Sequence, residues 1–193
     1  MNRTDELLFT ERWSGDVGNR AINAPIFDMI DKLSLYGKDV IEVGCHIGVL
    51  TEIFANMCNS VIAVDSWRDR DLKNKLKNRG KIWSERMSRY ENVTQIIGDS
   101  VMTRRKVPDG SVDFVYIDAR HTFRFAASDI LAWLPKIKGG SWFGGHDYKK
   151  SFPGVIDAVN IIKQLIPVEE FVTFDDSSWA IKTKTLDTKT TNM

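Results

Sequence analysis

Short β-rich runs alternate with longer amphipathic stretches along this 193-residue chain, and no other feature of the sequence restricts its fold as strongly. Strands that alternate with helices are typical of βαβ units, which build a parallel sheet through right-handed crossovers. Only Asp175-Asp-Ser177 separates the last two runs, so they must form a hairpin with one antiparallel strand. The predicted strands are 39–43, 60–64, 93–97, 112–117, 140–143, 168–174 and 178–182, and apolar residues at helical spacing predict helices around 26–33, 72–90, 130–134 and 155–166.

Length and composition indicate a single domain. A chain of 193 residues can bury a core without disulfides or a structural metal. Cys45 and Cys58 form no disulfide framework, so we expect reduced thiols in a cytoplasmic protein. The first residues lack the basic start and apolar stretch of a signal peptide, and no apolar run approaches the ~20 residues of a membrane helix. We therefore interpret 1–193 as one domain, with 1–16 as a flexible arm or lid and 184–193 as a frayed tail.

The segment around the first predicted strand carries the most information about a ligand. The strand ends at Val43, Gly44 and Gly48 flank a tight turn, and a helix begins near Val49. Glycines in such a turn let a ligand lie against the backbone, and the helix N-terminus offers free N–H groups. Open α/β sheets bind ligands in the crevice beyond such strand ends. The Gly-x-x-x-Gly spacing departs from the Gly-x-Gly-x-x-Gly of dinucleotide-binding proteins.

Acidic residues follow the next two strands at ligand-binding positions. Asp65 ends the second strand, about 20 residues after the first glycine, where a carboxylate binds ribose hydroxyls. Asp99 follows the third strand, where it either accepts a hydrogen bond from an adenine amino group or caps the next helix. Together with Glu42 and the two glycines, these residues favour a ligand bound across successive strand ends.

The Glu-Val-Gly-x-x-x-Gly-x-x-Thr loop, the acidic end of strand two and the Gly-Asp-Ser after strand three resemble class I S-adenosylmethionine-dependent methyltransferases. The resemblance covers roughly residues 38 to 182 and implies a Rossmann-like, doubly wound, mostly parallel seven-stranded sheet whose final strand is antiparallel. It implies that the two glycines lie against the methionine part of S-adenosylmethionine. Trp67 would pack on the adenine, or it would anchor the next helix in the core, and His46 would have a structural or cofactor-lining role. The implied cofactor-binding residues are Glu42, Gly44, Cys45, Gly48, Asp65, Ser66, Trp67, Asp99 and Ser100.

The second half of the chain carries the residues that favour catalysis. Asp118 ends the fourth predicted strand, His121 follows three residues later, and His146 and Asp147 end the fifth strand. The Ile-Asp-x-x-His-Thr run, the helix ending in Trp-Leu-Pro and the later His-Asp-Tyr resemble the small O-methyltransferases grouped with the macrocin and mycinamicin sugar methyltransferases. Several of these bind a divalent metal at the ends of strands four and five. By this resemblance Asp118, Asp147 and His146 would be metal ligands, and His121 would be the general base, with Asp118 beside it in catalysis.

These residue types also suit methyl transfer on chemical grounds. An acceptor hydroxyl must lose a proton, and a neutral histidine with a pKa near ~6.5 suits that step. A bound cation would lower the pKa of the hydroxyl and orient the acceptor. The structural alternative is that Asp118 caps the following helix while His146 and Asp147 hydrogen-bond a loop.

We therefore predict an S-adenosylmethionine-dependent O-methyltransferase for a small hydroxylated acceptor, such as a sugar or a natural product. The sequence leaves open whether the enzyme requires Mg²⁺ or another divalent cation, and whether the chain forms a homo-oligomer. The alternatives are a non-catalytic module that binds S-adenosylmethionine and a nicotinamide-dependent oxidoreductase. The net charge of +1 gives no information about a polyanionic partner. The basic segment 67–90 lacks the interleaved aromatic residues that stack on nucleic acids, so we interpret it as a solvated helix face.

Overall fold

The structure is a computed structural model that describes residues 20–68 and 78–184. These residues contain one seven-stranded sheet in the order β3-β2-β1-β4-β5-β7-β6. The strands are β1 (Asp39–Val43), β2 (Ser60–Asp65), β3 (Val93–Ile97), β4 (Val112–Ile117), β5 (Ile137–Gly145), β6 (Val168–Thr173) and β7 (Trp179–Thr183). The helices are α1 (Arg20–Leu33), α2 (Val49–Met57), α3 (Arg79–Met87), α4 (Ser100–Thr103), α5 (Phe123–Trp133) and α6 (Pro153–Leu165), with 3₁₀ turns at Arg104–Lys106 and Leu134–Lys136.

The two central strands, β1 and β4, position the candidate site. They pair in parallel, with Val43 beside Ile117 at their carboxyl ends. Both strands are almost entirely buried, as expected for parallel strands that helices cover on both faces. The strand order reverses between them, because β2 and β3 lie beyond β1 while β5 lies beyond β4. Their carboxyl ends therefore open onto the crevice where open α/β sheets bind ligands.

The predicted C-terminal hairpin is confirmed. Strand β7 lies between β5 and β6 and is antiparallel to both. The Phe174 N–H donates to the carbonyl of Ser178 at 2.9 Å, and Ser177 adopts a left-handed backbone conformation with φ of 74°. The chain therefore has the predicted Rossmann-like α/β fold, with a mostly parallel sheet that ends in antiparallel strands.

Helices cover both faces of the sheet. One face packs against α5 and α6 around Trp133, Phe143 and Trp179. The opposite face packs against α1 and α2 around Met29 and Phe54. Among the described residues, no helix has the length and apolar character needed to cross a membrane.

Several details differ from the sequence predictions. Leu131 belongs to the predicted apolar stripe of α5, but its side chain is exposed, and the helix buries Ala126, Ile130 and Trp133 instead. Strand β5 begins three residues earlier than predicted, at Ile137. The short helix α4 was expected only in the capping alternative for Asp99, which gave it no bounds. Part of the predicted helix 72–90, the arm over 1–16 and the tail beyond Lys184 lie outside the described residues.

Candidate active site

Gly44 brings the loop after β1 into contact with the end of β4. Its φ is +96°, and a Cβ at this position would lie 2.0 Å from the carbonyl oxygen of Asp118. The Gly44 N–H donates to the carbonyl of Val64, and the Asp118 N–H donates to the carbonyl of Val43, both at 2.8 Å. Any side chain at Gly44 would separate the two loops. The predicted cofactor loop and the predicted catalytic strand end are therefore immediate neighbours.

Gly48 is required for a reason that the sequence did not reveal. Its φ is +85°, and a Cβ here would lie 2.9 Å from Cδ1 of Trp83 and 3.3 Å from Cδ of Arg86. The glycine thus lets α3 pack closely against the loop. It also precedes α2, whose N-terminus has no side-chain cap, so backbone N–H groups of the first turn are available to a ligand.

Glu42 and Cys45 lie beneath the glycine loop, inside the protein. Glu42 is 2% exposed, and its carboxyl group accepts a hydrogen bond from the Thr51 hydroxyl, which accepts one from the Trp83 indole at 3.2 Å. Burial raises the pKa of Glu42 to about 8, although the Thr51 hydrogen bond opposes this shift. The Cys45 thiol donates to the carbonyl of Glu42 at 3.3 Å, and burial raises its pKa. Both residues support the loop from below, and their predicted contact with a cofactor stays a prediction.

Asp65 joins the glycine loop to the segment after β2. Its carboxylate accepts the N–H of His46 at 3.0 Å and the N–H of Trp67 at 2.8 Å. The Trp67 indole donates to the carbonyl of His46 at 2.8 Å, and its ring packs on Trp83 with centroids 5.0 Å apart. Trp67 therefore has the contacts of the core-anchor alternative. Ser66, between Asp65 and Trp67, is partly buried. A carboxylate has about four lone-pair sites, so Asp65 can still accept hydrogen bonds from hydroxyl groups of a ligand.

Asp99 and Ser100 are held by neighbouring helices. Asp99 caps α4, because its side chain accepts the N–H of Met102 at 3.2 Å. Ser100 donates its hydroxyl to Asp129, a buried residue of α5. The capping alternative for Asp99 is therefore present, and the exposed Asp99 carboxylate retains a second oxygen for a ligand.

The ends of β4 and β5 bring Asp118, His121 and Asp147 together, with ligand atoms within 4.8 Å of one another. The His121 Nε2 lies 2.7 Å from Oδ2 of Asp147 and 3.9 Å from Oδ1 of Asp118. Asp147 is buried, with a side chain 7% exposed, whereas the side chain of His121 is 42% exposed. A buried carboxylate therefore holds an accessible imidazole at the edge of the crevice.

The side chains of His146 and Lys149 also contact the Asp147 carboxylate. Its Oδ1 lies 3.2 Å from Nδ1 of His146 and 3.0 Å from Nζ of Lys149. The Asp118 carboxylate and, with it, that of Asp147 raise the pKa of His121 above the ordinary 6.5, while partial burial and Lys149 oppose the shift. On distance, Asp147 is the residue that orients the ring. The predicted ligand His146 lies beside Asp147 and is not part of the three-residue cluster.

Aromatic and helical packing fixes the other side of His121. The Phe152 ring lies on the imidazole with centroids 4.4 Å apart, and Nζ of Lys149 lies 5.2 Å from the centre of the Phe152 ring. Gly154 allows the start of α6 to reach the start of α5. A recess opens here, and its lining includes Asp118, Arg120, His121, His146, Val155 and Trp179.

Gly154→Ala is expected to lower the free energy of unfolding by about 1–3 kcal/mol, because overpacking of this kind forces backbone shifts. The new methyl group would lie 2.4 Å from the Phe123 nitrogen and 2.9 Å from the His121 carbonyl oxygen. Urea unfolding measures the effect. Asp157→Ala, an exposed change in the same helix, is the control and should stay within about 0.5 kcal/mol of wild type. Equal stability of the two variants would contradict the packing argument.

Sequence reasoning missed Asp129, and it did not predict the contacts that Lys149 and Phe152 make with Asp147 and His121. Asp129 lies within an apolar helical pattern, where a polar residue is ordinarily assigned to the solvent face. The predicted residues at the strand ends, by contrast, do gather at one edge of the sheet.

Comparison with solved structures identifies the class of fold. The chain is similar to phosphoethanolamine N-methyltransferase 1 of Haemonchus contortus, with 14% identity, a TM-score of 0.62 and coverage of 96% of this chain and 49% of that chain. An rRNA methylase of Streptococcus thermophilus matches with 16% identity, a TM-score of 0.61 and coverage of 84% and 96%. A SAM-dependent O-methyltransferase of Thermotoga maritima matches with 14% identity, a TM-score of 0.60 and coverage of 83% and 64%. The chain spans about half the length of the Haemonchus enzyme.

The fold is therefore that of methyltransferases, although identities this low establish the fold alone. The model of the methyltransferase domain family matches residues 41–148, which is more than half of the chain. This chain belongs to the methyltransferase domain family. A comparison with the curated proteins gave no significant match. The predicted kinship with the macrocin and mycinamicin enzymes stays a prediction.

Proposed function

We propose that this chain is an S-adenosylmethionine-dependent methyltransferase that methylates a hydroxyl group of a small acceptor. The observation that carries the proposal is the pair formed by His121 and Asp147 at 2.7 Å, beside the Gly44 loop. Family membership supports methyl transfer, and the structure of the Haemonchus enzyme contains S-adenosylhomocysteine.

The residues at the strand ends fit the chemistry of such a cofactor. Asp65 would accept hydrogen bonds from the ribose hydroxyl groups. Asp99 would accept one from the adenine amino group through the carboxylate oxygen that does not cap α4. The open N-terminus of α2 would face the methionine part. When bound, S-adenosylmethionine supplies a methyl group whose carbon bonds to the acceptor oxygen as its bond to sulfur breaks, the electron pair staying on sulfur.

His121 is the proposed general base. Its Nε2 faces Asp147 at hydrogen-bond distance, so Nε2 carries a proton and Nδ1 has the free lone pair. Nδ1 would take the proton that the acceptor hydroxyl loses when its oxygen is methylated. Asp147 would then stabilise the imidazolium, and Phe152 keeps the ring in place. Positioning and proton removal are the two tasks that the protein performs.

A divalent cation does not fit the cluster as it is hydrogen-bonded. The Nε2 of His121 donates to Asp147, and therefore has no lone pair to offer a metal. The other Asp147 oxygen is already neutralised by Lys149 at 3.0 Å. We therefore expect methyl transfer to be insensitive to EDTA.

The acceptor assignment rests on the position of the recess beside His121. His121 and Asp118 are partly exposed there, which suits a small hydroxylated molecule. The two buried, unpaired cysteines support a reducing, cytoplasmic location.

Calorimetric titration with S-adenosylhomocysteine tests the cofactor assignment. We expect micromolar binding of S-adenosylhomocysteine and none of NAD, and the same affinity with EDTA or with excess Mg²⁺. Binding of NAD instead would favour the oxidoreductase alternative. Failure to bind S-adenosylhomocysteine would refute the proposal. Binding without methyl transfer to any hydroxylated compound in a screen would favour the non-catalytic module.

A further inference from the structure

Asp129 is a buried acid that the proposed methyl transfer does not use. It lies on α5 and is 3% exposed. Its carboxylate accepts the hydroxyl hydrogen of Ser100, the first residue of α4. The contact therefore ties the helix that follows His121 to the loop that follows β3.

We propose that Asp129 is a positioning residue, which holds the Gly98–Ser100 loop in the shape that recognises the adenine amino group of the cofactor. The inference rests on the proposed function. It adds that recognition of the base depends on a residue that does not touch the cofactor.

Several hydrogen bonds hold this loop, and Asp129 accepts one of them. Gly98 donates its N–H to the carbonyl of Asp65 at 3.0 Å, which fixes the loop to β2. Asp99 fixes it to α4 through the N–H of Met102. Ser100 fixes it to α5 through Asp129. Thr103 also holds the loop, since its hydroxyl group donates to the carbonyls of Asp99 and Ser100. Loss of the Asp129 contact removes the hydrogen bond that joins Ser100 to α5, and we expect the neighbouring Asp99 carboxylate to be held less firmly.

Burial makes this carboxylate costly to keep ionised, which argues against a merely space-filling role. Burial raises the pKa of Asp129 to about 6, against the hydrogen bond from Ser100. The other charged groups that act on it are Asp99, which raises its pKa, and Arg120, which lowers it. An apolar residue of similar size would fill the space at a lower cost, but it would leave Ser100 without its acceptor.

The position of Asp129 also couples the two halves of the site. α5 begins at Phe123, two residues after His121, and the same helix carries Asp129. A shift of α5 would therefore move both His121 and Asp129, which supports the Gly98–Ser100 loop. The proposed base therefore lies just before the helix that carries Asp129.

The test compares S-adenosylhomocysteine with S-inosylhomocysteine, in which an oxo group replaces the 6-amino group of adenine. Calorimetry would be run on wild type, Asp129→Ala, Ser100→Ala, the double variant of these two changes, and Asp129→Asn. We expect wild type to prefer the adenine ligand by at least about tenfold, as for a hydrogen bond to a charged group. Asp129→Ala and Ser100→Ala should each reduce that preference to within about threefold, and the double variant should lose no more. Asp129→Asn keeps an acceptor for Ser100 and should retain the preference.

The control is Asp113→Asn at the opposite end of β4. Asp113 accepts the N–H of Asp39 at 3.0 Å and the ammonium of Lys138 at 2.9 Å, far from the crevice. This variant should lose stability but keep the ligand preference, which separates a general loss of stability from loss of recognition. Ser100→Ala removes the same hydrogen bond from its partly buried donor, so the test survives if Asp129→Ala fails to fold.

The outcomes separate the two proposals. If wild type binds neither ligand, the proposed function fails. If wild type binds both ligands equally, or if Asp129→Ala and Ser100→Ala keep the wild-type preference, the positioning role is overturned while the proposed function stands. Loss of preference in Asp113→Asn would also overturn it.

Discussion

His121→Ala is expected to lower the turnover of methyl transfer by about 10²–10⁴-fold, the range found when a general base is removed. The affinity for S-adenosylhomocysteine should stay within about twofold of wild type, because His121 contacts Asp147 and Phe152 rather than the glycine loop. Turnover would be measured with an acceptor from the hydroxyl screen, and affinity by calorimetry. Lys150→Ala, an exposed neighbour of the cluster, should leave both quantities unchanged. Normal turnover of His121→Ala would remove the base assignment.

The pH dependence gives an independent check on the same residue. A base must be unprotonated, so turnover should rise with pH through the pKa of His121, which lies above 6.5. Asp147→Asn removes a negative charge that favours the imidazolium, so the rising limb should move to lower pH while the maximum turnover falls. A rising limb that stays in place in Asp147→Asn would show that another group titrates.

The sheet topology was predictable because its signals are local. Strand and helix periods are read from a few consecutive residues, and the hairpin follows from the three residues between the last two runs. Parallel strands share one carboxyl edge, so the residues at their ends could be assigned to one site without knowledge of the loops. Gly44 illustrates this, since its contact with Asp118 joins two strand ends that are far apart in sequence.

The pairing within the site was not predictable, because it depends on loop geometry. The family resemblance implied Asp118 beside His121 in catalysis, yet Asp147 lies closer to the His121 ring. Asp147 adopts a left-handed backbone conformation, with φ of 65°, and this brings its buried carboxylate towards three neighbouring side chains. The role of Asp99 was not predictable for a different reason. An aspartate that caps a helix and an aspartate that binds a ligand occur in the same sequence pattern.

Sequence reasoning also failed to identify buried polar residues. The periodic pattern of α5 drew attention to its apolar residues and placed Leu131 inside, although Leu131 is 58% exposed and Asp129 only 3%. Residue type alone assigns an acid to solvent. Only the tertiary contact with Ser100 identifies Asp129 as an internal residue.

Glu42→Gln is expected to make the protein more stable than wild type at alkaline pH. The folded-state pKa of Glu42 is about 8, against an ordinary value of 4.5. A raised folded-state pKa contributes stability that is fully present below pH 4.5 and is lost as the pH rises through 8. The difference between these two pKa values corresponds to about 5 kcal/mol of unfolding free energy.

Urea unfolding of both proteins at about pH 5, 7 and 9 measures this effect. The variant and wild type should differ least at the lowest pH, where Glu42 is protonated in the folded protein and a glutamine replaces a neutral acid of the same shape. The free energy of unfolding of wild type should then fall progressively below that of the variant as the pH rises. The reason is that the buried carboxyl group loses its proton beside Thr51, where the charge has little solvation.

The control for this prediction is Glu85→Gln on α3. Glu85 pairs with Lys81 on the surface, and both side chains are largely exposed. Surface pairs contribute little, so this variant should follow wild type within about 1 kcal/mol at every pH. A constant difference between Glu42→Gln and wild type across the pH range would mean that Glu42 stays ionised in the folded protein. The glycine loop would then rest on a buried negative charge, whereas the raised pKa of Glu42 gives it a neutral, hydrogen-bonded support at pH 7.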